Sequence, residues 1–409
     1  MLSTGLDHIL KRLWSLWDSG LAKVPRGIWA IGFVSMFMDI SSEMIHALLP
    51  LYMVNVLGAS ALAVGFIEGI AEATANITKI FSGALSDWLG KRKLLAVIGY
   101  GLAAITKPVF PLAPTLTWIV AARFVDRIGK GIRGAPRDAL VADIAPPELR
   151  ATSFGLRQSL DTVGAFIGPL LAIGLLLISD NNFRTVFWIA VIPAFIAVAL
   201  MIFAVQEPLH KPKHVTARRF FSSTKQLTFS FWFVMVLAFA LTLARFSEAF
   251  LVLRAQNLGL ALTLIPLTLV FMNIVYAAAS TPAGIWADRF GKHHIFTAGI
   301  TCLIIADVIL AYATNVFILM VGILFWGLHM GLTQSLLLAH VADTAPSHLR
   351  GTAFGILNLV MGVAMLLASI IAGKLWDSYS PTATFLAGAG FAAVALVGFL
   401  FSTAIRKTE

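Results

Sequence analysis

Between Asp126 and Asp138 the chain reads DRIGKGIRGAPRD and carries six charged side chains, Asp126, Arg127, Lys130, Arg133, Arg137 and Asp138. Such a set can do two kinds of chemistry. Arginine offers a planar, bidentate fork to an anion. A carboxyl beside a cation can exchange a proton, because low dielectric favours its neutral form and the cation favours its ionised form. At about 100° per residue, Arg123, Arg127, Lys130 and Arg137 share one narrow sector of a helix, with Asp126 at its border. Gly129, Gly131 and Gly134 permit a close neighbour, and Pro136 bends the far end. A salt-bridge network that only stiffens the helix is the competing reading, most of all for Arg137 and Asp138.

Partners stand elsewhere in the sequence. Asp39 and Glu43 are four residues apart and share a helix face, as do Glu68 with Glu72 and Arg157 with Asp161. Arg245, Glu248 and Arg254 lie in LARFSEAFLVLRAQ, where FSE matches the SSE that ends at Glu43. That match sets Glu43 and Glu248 on opposite sides of a cavity. Asp39, Glu43, Asp126, Asp161 and Glu248 are the candidates for proton exchange. Arg123, Arg127, Lys130, Arg157 and Arg245 are the cationic candidates for a substrate cavity. Trp326, His329, Gln334 and Asn358 add softer contacts.

The elements that position these residues follow from composition. Of 409 residues, 59% are hydrophobic and 12% charged, roughly half the charge of a soluble domain. Runs of about 20 apolar residues each cross a bilayer once, and twelve are found. They begin near Gly27, Ala61, Leu94, Trp118, Thr152, Thr185, Phe229, Thr263, Ile295, Val316, Thr352 and Thr384. The expected fold is an all-α membrane protein of two six-helix bundles, 27–205 and 229–404. A polar linker, 206–228, joins them. Segment 1–26 does not read as a signal peptide; it reads as an amphipathic helix on the membrane surface or as a frayed leader, and 405–409 as a tail. Lys91, Arg92, Lys93, the basic linker, Arg289, Lys292, Arg406 and Lys407 lie on one side. The positive-inside rule then puts both termini in the cytoplasm, and the expected location is the cell inner membrane. The net charge of +10 is explained the same way, without nucleic acid.

The two halves repeat each other. VADIAPPELRATSFG, from Val141, returns as VADTAPSHLRGTAFG, from Val341, with ten of fifteen positions identical. GALSDWLGKRK, from Gly83, returns as GIWADRFGKHH, from Gly284. Tandem six-span repeats build transporters with the site between the halves. These motifs resemble the major facilitator superfamily, whose signature after the second span is G-x-L-x-D-R-x-G-R-R. Gly83, Leu85, Asp87, Gly90, Lys91 and Arg92 match it, with Trp88 at the first basic position; Gly284, Asp288, Arg289, Gly291 and Lys292 keep it in the second half. The resemblance implies a twelve-span fold and a cytoplasmic gate at Gly83, Asp87, Gly90, Arg92, Asp288 and Arg289. Asp143 with Arg150, and Asp343 with Arg350, look like gate or helix-end pairs. Drug/proton antiporters of that superfamily are similar in having an acid in span one and an Arg in span four. Their span-five signature is only partly present, as Gly164, Gly168 and Pro169.

The leading expectation is proton-coupled export of a small organic molecule by a monomer in the lipid bilayer. The alternative is uptake or exchange of an anion, such as a carboxylate siderophore or an organic phosphate. Soft-metal transport, from His46, His329, Met330, His340, Met361 and Met365, ranks lower because Met commonly fills helix contacts. A membrane sensor would add a soluble output segment. No nucleotide loop or nucleophile motif suggests an enzyme, and no cofactor or bound metal is expected. The single cysteine, Cys302, allows no intrachain disulfide and no cysteine cluster.

Overall fold

The computed structural model describes residues 24–146, 149–207, 227–345 and 350–406. The 1–26 segment expected to be an amphipathic helix lies almost wholly outside the described residues, as does most of the 206–228 linker. Among the described residues every regular element is helical.

The first span is Arg26–His46 continued by Leu49–Asn55. The second is Ala61–Leu89, the third Arg92–Thr106 with a short Val109–Leu112 piece, the fourth Leu116–Ile144, the fifth Arg150–Ile178 and the sixth Phe183–Phe203. The second half follows suit. Its spans are Phe229–Ala244 with Ala249–Asn257, then Leu267–Phe290, Lys292–Tyr312, Val316–Thr344, Arg350–Ser378 and Pro381–Arg406. The twelve helices expected from hydropathy are therefore present as two bundles of six. Ten are long and apolar enough to cross a membrane on composition alone. The two that fall short are the second and the fourth, which hold Glu68, Glu72, Arg123, Asp126, Arg127 and Lys130.

Local chemistry sets the helix ends. Ser60, Asn182, Thr228 and Asn315 accept N–H groups of the first turn that follows them, the usual use of such caps. Gly90 ends the second span at φ 62°, a left-handed position that glycine takes without strain.

Packing repeats between the halves. The first span lies on the fifth and sixth, and the seventh on the eleventh and twelfth; the third lies on the fourth, and the ninth on the tenth. The halves meet most closely where the second span runs along the eleventh. Glycine allows that approach: a Cβ on Gly373 would lie 2.6 Å from the Cα of Leu62.

Hydrogen bonds cross between the halves at the end away from the termini. Gln256 Nε2 donates to Asn55 Oδ1 at 2.6 Å, and Thr263 Oγ1 to Asn181 Oδ1 at 3.2 Å. The Ala61 and Leu62 N–H groups donate to the Asp377 carboxylate at 3.0 and 2.8 Å.

Among the described residues three spans are interrupted. The first breaks after His46, the third at Lys107 and Pro108, and the seventh between Ala244 and Ala249. Broken helices in a membrane are tolerated where they are buried in protein or line a polar cavity. Each break here carries a titratable group: His46, Lys107, or Arg245 with Glu248.

Candidate functional site

The second and fourth spans run in the same direction, and opposite charges ladder between them. Arg123 Nη2 donates to Glu68 Oε2 at 2.5 Å. One helical turn further, Arg127 Nη1 meets Glu72 Oε1 at 3.2 Å. Both helices step by four residues, so the ladder keeps register. Glu68 is 1% exposed and Arg123 3%, which makes this the deepest rung. His46, at the break of the first span, extends it. Its Nε2 is 3.7 Å from Glu68 and its Nδ1 3.5 Å from Glu43.

Asp126 is held from the other side. Lys107, only 2% exposed, donates to Asp126 Oδ1 at 2.9 Å and to Ser42 Oγ at 3.1 Å. Arg127 Nε lies 3.8 Å from Asp126 Oδ2. Lower in the fourth span, Arg133 lies over the Tyr100 ring at 4.8 Å. Arg137 reaches Asp138, Asp161 and Ser35, and Arg157 lies 3.5 Å from Asp161.

These groups surround a cavity of about 310 Å³. Its carboxylates are Asp39, Glu43, Glu72, Asp126 and Asp161, and its cations are Lys79, Arg127, Lys130, Arg133 and Arg137. Among the described residues Asp39, Lys79 and Lys130 make no side-chain hydrogen bond or ion pair, and Lys130 is exposed to the cavity. An unpaired carboxylate and unpaired ammonium groups on one wall can receive a charged solute. Of the remaining ions, Arg133 rests on the Tyr100 ring, and Glu43, Glu72, Asp126, Asp161, Arg127 and Arg137 each have an oppositely charged partner.

The candidates do not all meet there. Arg123 lies behind the cavity, committed to Glu68, and Arg157 also lies off its wall. Arg245, His329 and Gln334 line a second cavity of about 150 Å³ in the other half, with Thr242, Thr333 and Met361. His329 Nδ1 is 2.9 Å from the Gly299 carbonyl, and Tyr276 donates to Gln334 at 3.0 Å. Glu248 sits half-buried at the break of the seventh span, among the electrostatic neighbours His46, Arg245, Glu43 and Glu72. Trp326 lines neither cavity. It is wholly buried against Phe246, with ring centroids 5.5 Å apart. Asn358 donates to Phe354 O in its own helix.

At the terminal end, Arg92 Nη1 donates to Asp143 Oδ2 at 2.5 Å and to Ala139 O at 3.0 Å. The side chains of Asp87, Arg150, Asp288, Arg289, Asp343 and Arg350 lie outside the described residues. Gly83 and Gly90 lie at the matching end of the second span.

Lys107 was not among the sequence candidates. The available signal was a lone lysine beside proline in an otherwise apolar span. In the sequence His46 stands only among the soft-metal candidates; in the structure it lies between the Glu43 and Glu68 carboxylates. Among the described residues no group of three His, Cys, Asp or Glu side chains is arranged so that it could hold a metal ion.

The geometry finds counterparts among known proteins. The model of the Major Facilitator Superfamily matches residues 31–253 and 228–409. An uncharacterized MFS-type transporter of Methanocaldococcus jannaschii is 31% identical over 385 residues, 93% of this chain and 95% of that protein. The class C tetracycline resistance protein of Escherichia coli is 27% identical over 300 residues, 71% of this chain and 74% of its own length. The crystal structure of the nucleoside transporter NupG superposes with a TM-score of 0.73 at 16% identity, covering 91% of this chain and 98% of its own. With both six-span halves matched, and with nearly the full length shared with an MFS-type relative, the chain belongs to the Major Facilitator Superfamily of membrane transporters.

Proposed function

We propose that this protein is a secondary active transporter that exports a small, polar, charged organic molecule in exchange for protons, by alternating access. The observation that carries the reading is the cavity of about 310 Å³ with mixed charge on its wall. An apolar solute would gain little there. A solute bearing an anionic group would find the Lys130 and Lys79 ammonium groups, and Arg127 as a bidentate donor. A basic group on the same solute would find Asp39.

Asp39 and Glu43 are the coupling carboxylates of this reading, with Asp126, Asp161 and Glu248 as further sites. Asp39 holds no cation of its own, so a proton and a cationic solute compete for it. That competition is the basis of exchange. With both termini in the cytoplasm, the end joined by Asp377, Asn55 and Asn181 is external. The structure is then the state closed to the outside, with Gly83, Asp87, Gly90, Arg92, Asp143 and their second-half counterparts forming the cytoplasmic gate. The tetracycline resistance relative supports export.

Uptake of an anion is the second reading. The unpaired Lys130 and Lys79 favour it. Ligand screening by thermal stabilisation of the purified protein, followed by flux measurements in proteoliposomes with an imposed pH gradient, separates the two. Export predicts that an inward pH gradient drives counter-movement of the stabilising ligand. A ligand that moves with equal rate at zero and imposed gradient removes proton coupling.

A further inference from the structure

Asp307, in the ninth span, is 0% exposed, and neither carboxyl oxygen has a hydrogen-bond partner. Trp326, in the tenth span, is also 0% exposed, and its indole Nε1 is likewise unpartnered. The 200-residue repeat places these two at the positions of Lys107 and Asp126, which form the 2.9 Å ion pair of the first half. The register of the ninth and tenth spans agrees. Gly299 meets Leu332 and Thr333, and Gly322 meets Leu310, which sets 307 and 326 at one level. An acid and a donor have thus replaced a base and an acid at one site.

Among the described residues no charge compensates Asp307. The ninth span packs on the eighth, tenth and twelfth. Tyr276 of the eighth donates to Gln334, and His329 of the tenth is bonded at Gly299. His340 of the tenth bonds the Leu336 carbonyl, more than three turns along that helix. Arg406 ends the twelfth. The seventh span also reaches the ninth: its Arg254 donates to the carbonyls of Leu310, Ala311 and Ala313, and its Arg245 and Glu248 face the central side. On the ninth span itself, Lys292, His293, His294, Cys302 and Tyr312 are the other titratable groups. Among the described residues none of these makes an ion pair with Asp307. A naked carboxylate there is strongly disfavoured, whereas a neutral acid is tolerated.

Phe246 closes the site. Its ring lies against Trp326 at a tilt of 56°, and its ring and Asp307 Oδ2 both border Gly388. It belongs to the non-helical break of the seventh span, whose Arg245 and Glu248 face the central region. We propose that Asp307 is a proton-binding site of the C-terminal half, sealed by Phe246 and completed by Trp326. When the seventh span moves, water enters at the break. Asp307 gives its proton to that water, and Trp326 Nε1–H donates to the carboxylate left behind. Reprotonation reverses the step. The role in coupling rests on the transport reading; the existence of the site does not.

Infrared spectroscopy of the reconstituted protein tests it with the proton as probe. At neutral pH the wild type should show a protonated-carboxyl C=O band that Asp307→Asn lacks. Gly388→Ala should shift that band, since its methyl would lie 2.6 Å from Asp307 Oδ2. In Trp326→Phe the band should persist to higher pH, because the donor to the ionised form is gone. Identical protonated-carboxyl spectra for wild type and Asp307→Asn overturn the site, whatever the protein transports. A band that titrates alike in wild type and Trp326→Phe overturns the assignment of the indole.

Discussion

Asp377, at the end of the eleventh span, accepts the N–H of Leu62 at 2.8 Å, and so one half of the molecule caps the first turn of a helix in the other. A carboxylate at a helix N-terminus is favoured both by the free N–H groups and by the helix dipole. Losing such a cap costs about 0.5–2 kcal/mol. Asp377→Ala should therefore shift the closed-to-open ratio at that end by roughly 2- to 30-fold. Spin labels at Gly58 and Ser378, on a Cys302→Ser background, should show a larger population at long distance. An unchanged distance distribution would remove Asp377 from the seam.

The Arg123–Glu68 rung should behave as a buried pair. Removing either partner alone strands a charge and should cost about 3–5 kcal/mol. Replacing both, as Glu68→Leu with Arg123→Met, should recover most of that loss. Thermal denaturation of the two single variants and the double variant gives the comparison. Additive losses would mean that the two residues act independently.

Lys130 and Arg127 should govern affinity for the anionic group of the ligand. A charge-assisted hydrogen bond is worth about 1.5–3 kcal/mol. Lys130→Ala and Arg127→Ala should each weaken binding by roughly 10- to 150-fold. Arg127→Lys should recover only part, since an ammonium cannot reproduce the planar fork. Isothermal titration with the stabilising ligand measures this, and unchanged affinity in both alanine variants would move the binding site elsewhere.

Asp39→Asn should separate exchange from coupling. The cavity keeps its shape, so ligand counterflow between equal pH compartments should persist at near wild-type rate. Accumulation driven by a pH gradient should fall at least tenfold. Retained accumulation would pass the coupling role to Glu43, Asp126, Asp161 or Glu248.

The twelve spans were legible because a bilayer leaves a one-dimensional mark on the sequence: apolar length. The shared face of Arg123, Arg127 and Lys130 was legible from helical spacing for the same reason. What each residue touches was not. Arg123 and Arg127 lie one turn apart, yet one is sealed against Glu68 and the other borders the cavity. The difference is depth along the second span, which periodicity does not report. Lys107 is nineteen residues from Asp126 in the chain, across a turn, and only the antiparallel register of the third and fourth spans joins them. Trp326 kept its repeat position but turned into an aromatic cluster, because Phe246 enters through a helix break that hydropathy smooths over. Asp307 carries the same signal as Lys107, a lone charge in an apolar run, but its pairing with Trp326 has no mark in the spacing.

The cavity wall holds five carboxylates and five cations. Rocking one half of the molecule against the other would carry all ten through the membrane potential. A net charge moved across 100 mV exchanges about 2.3 kcal/mol per unit. With the ten in balance, the empty carrier would cross the field with little electrical work. The voltage dependence of a full cycle would then be set by what is bound, the solute and the proton, rather than by the protein itself.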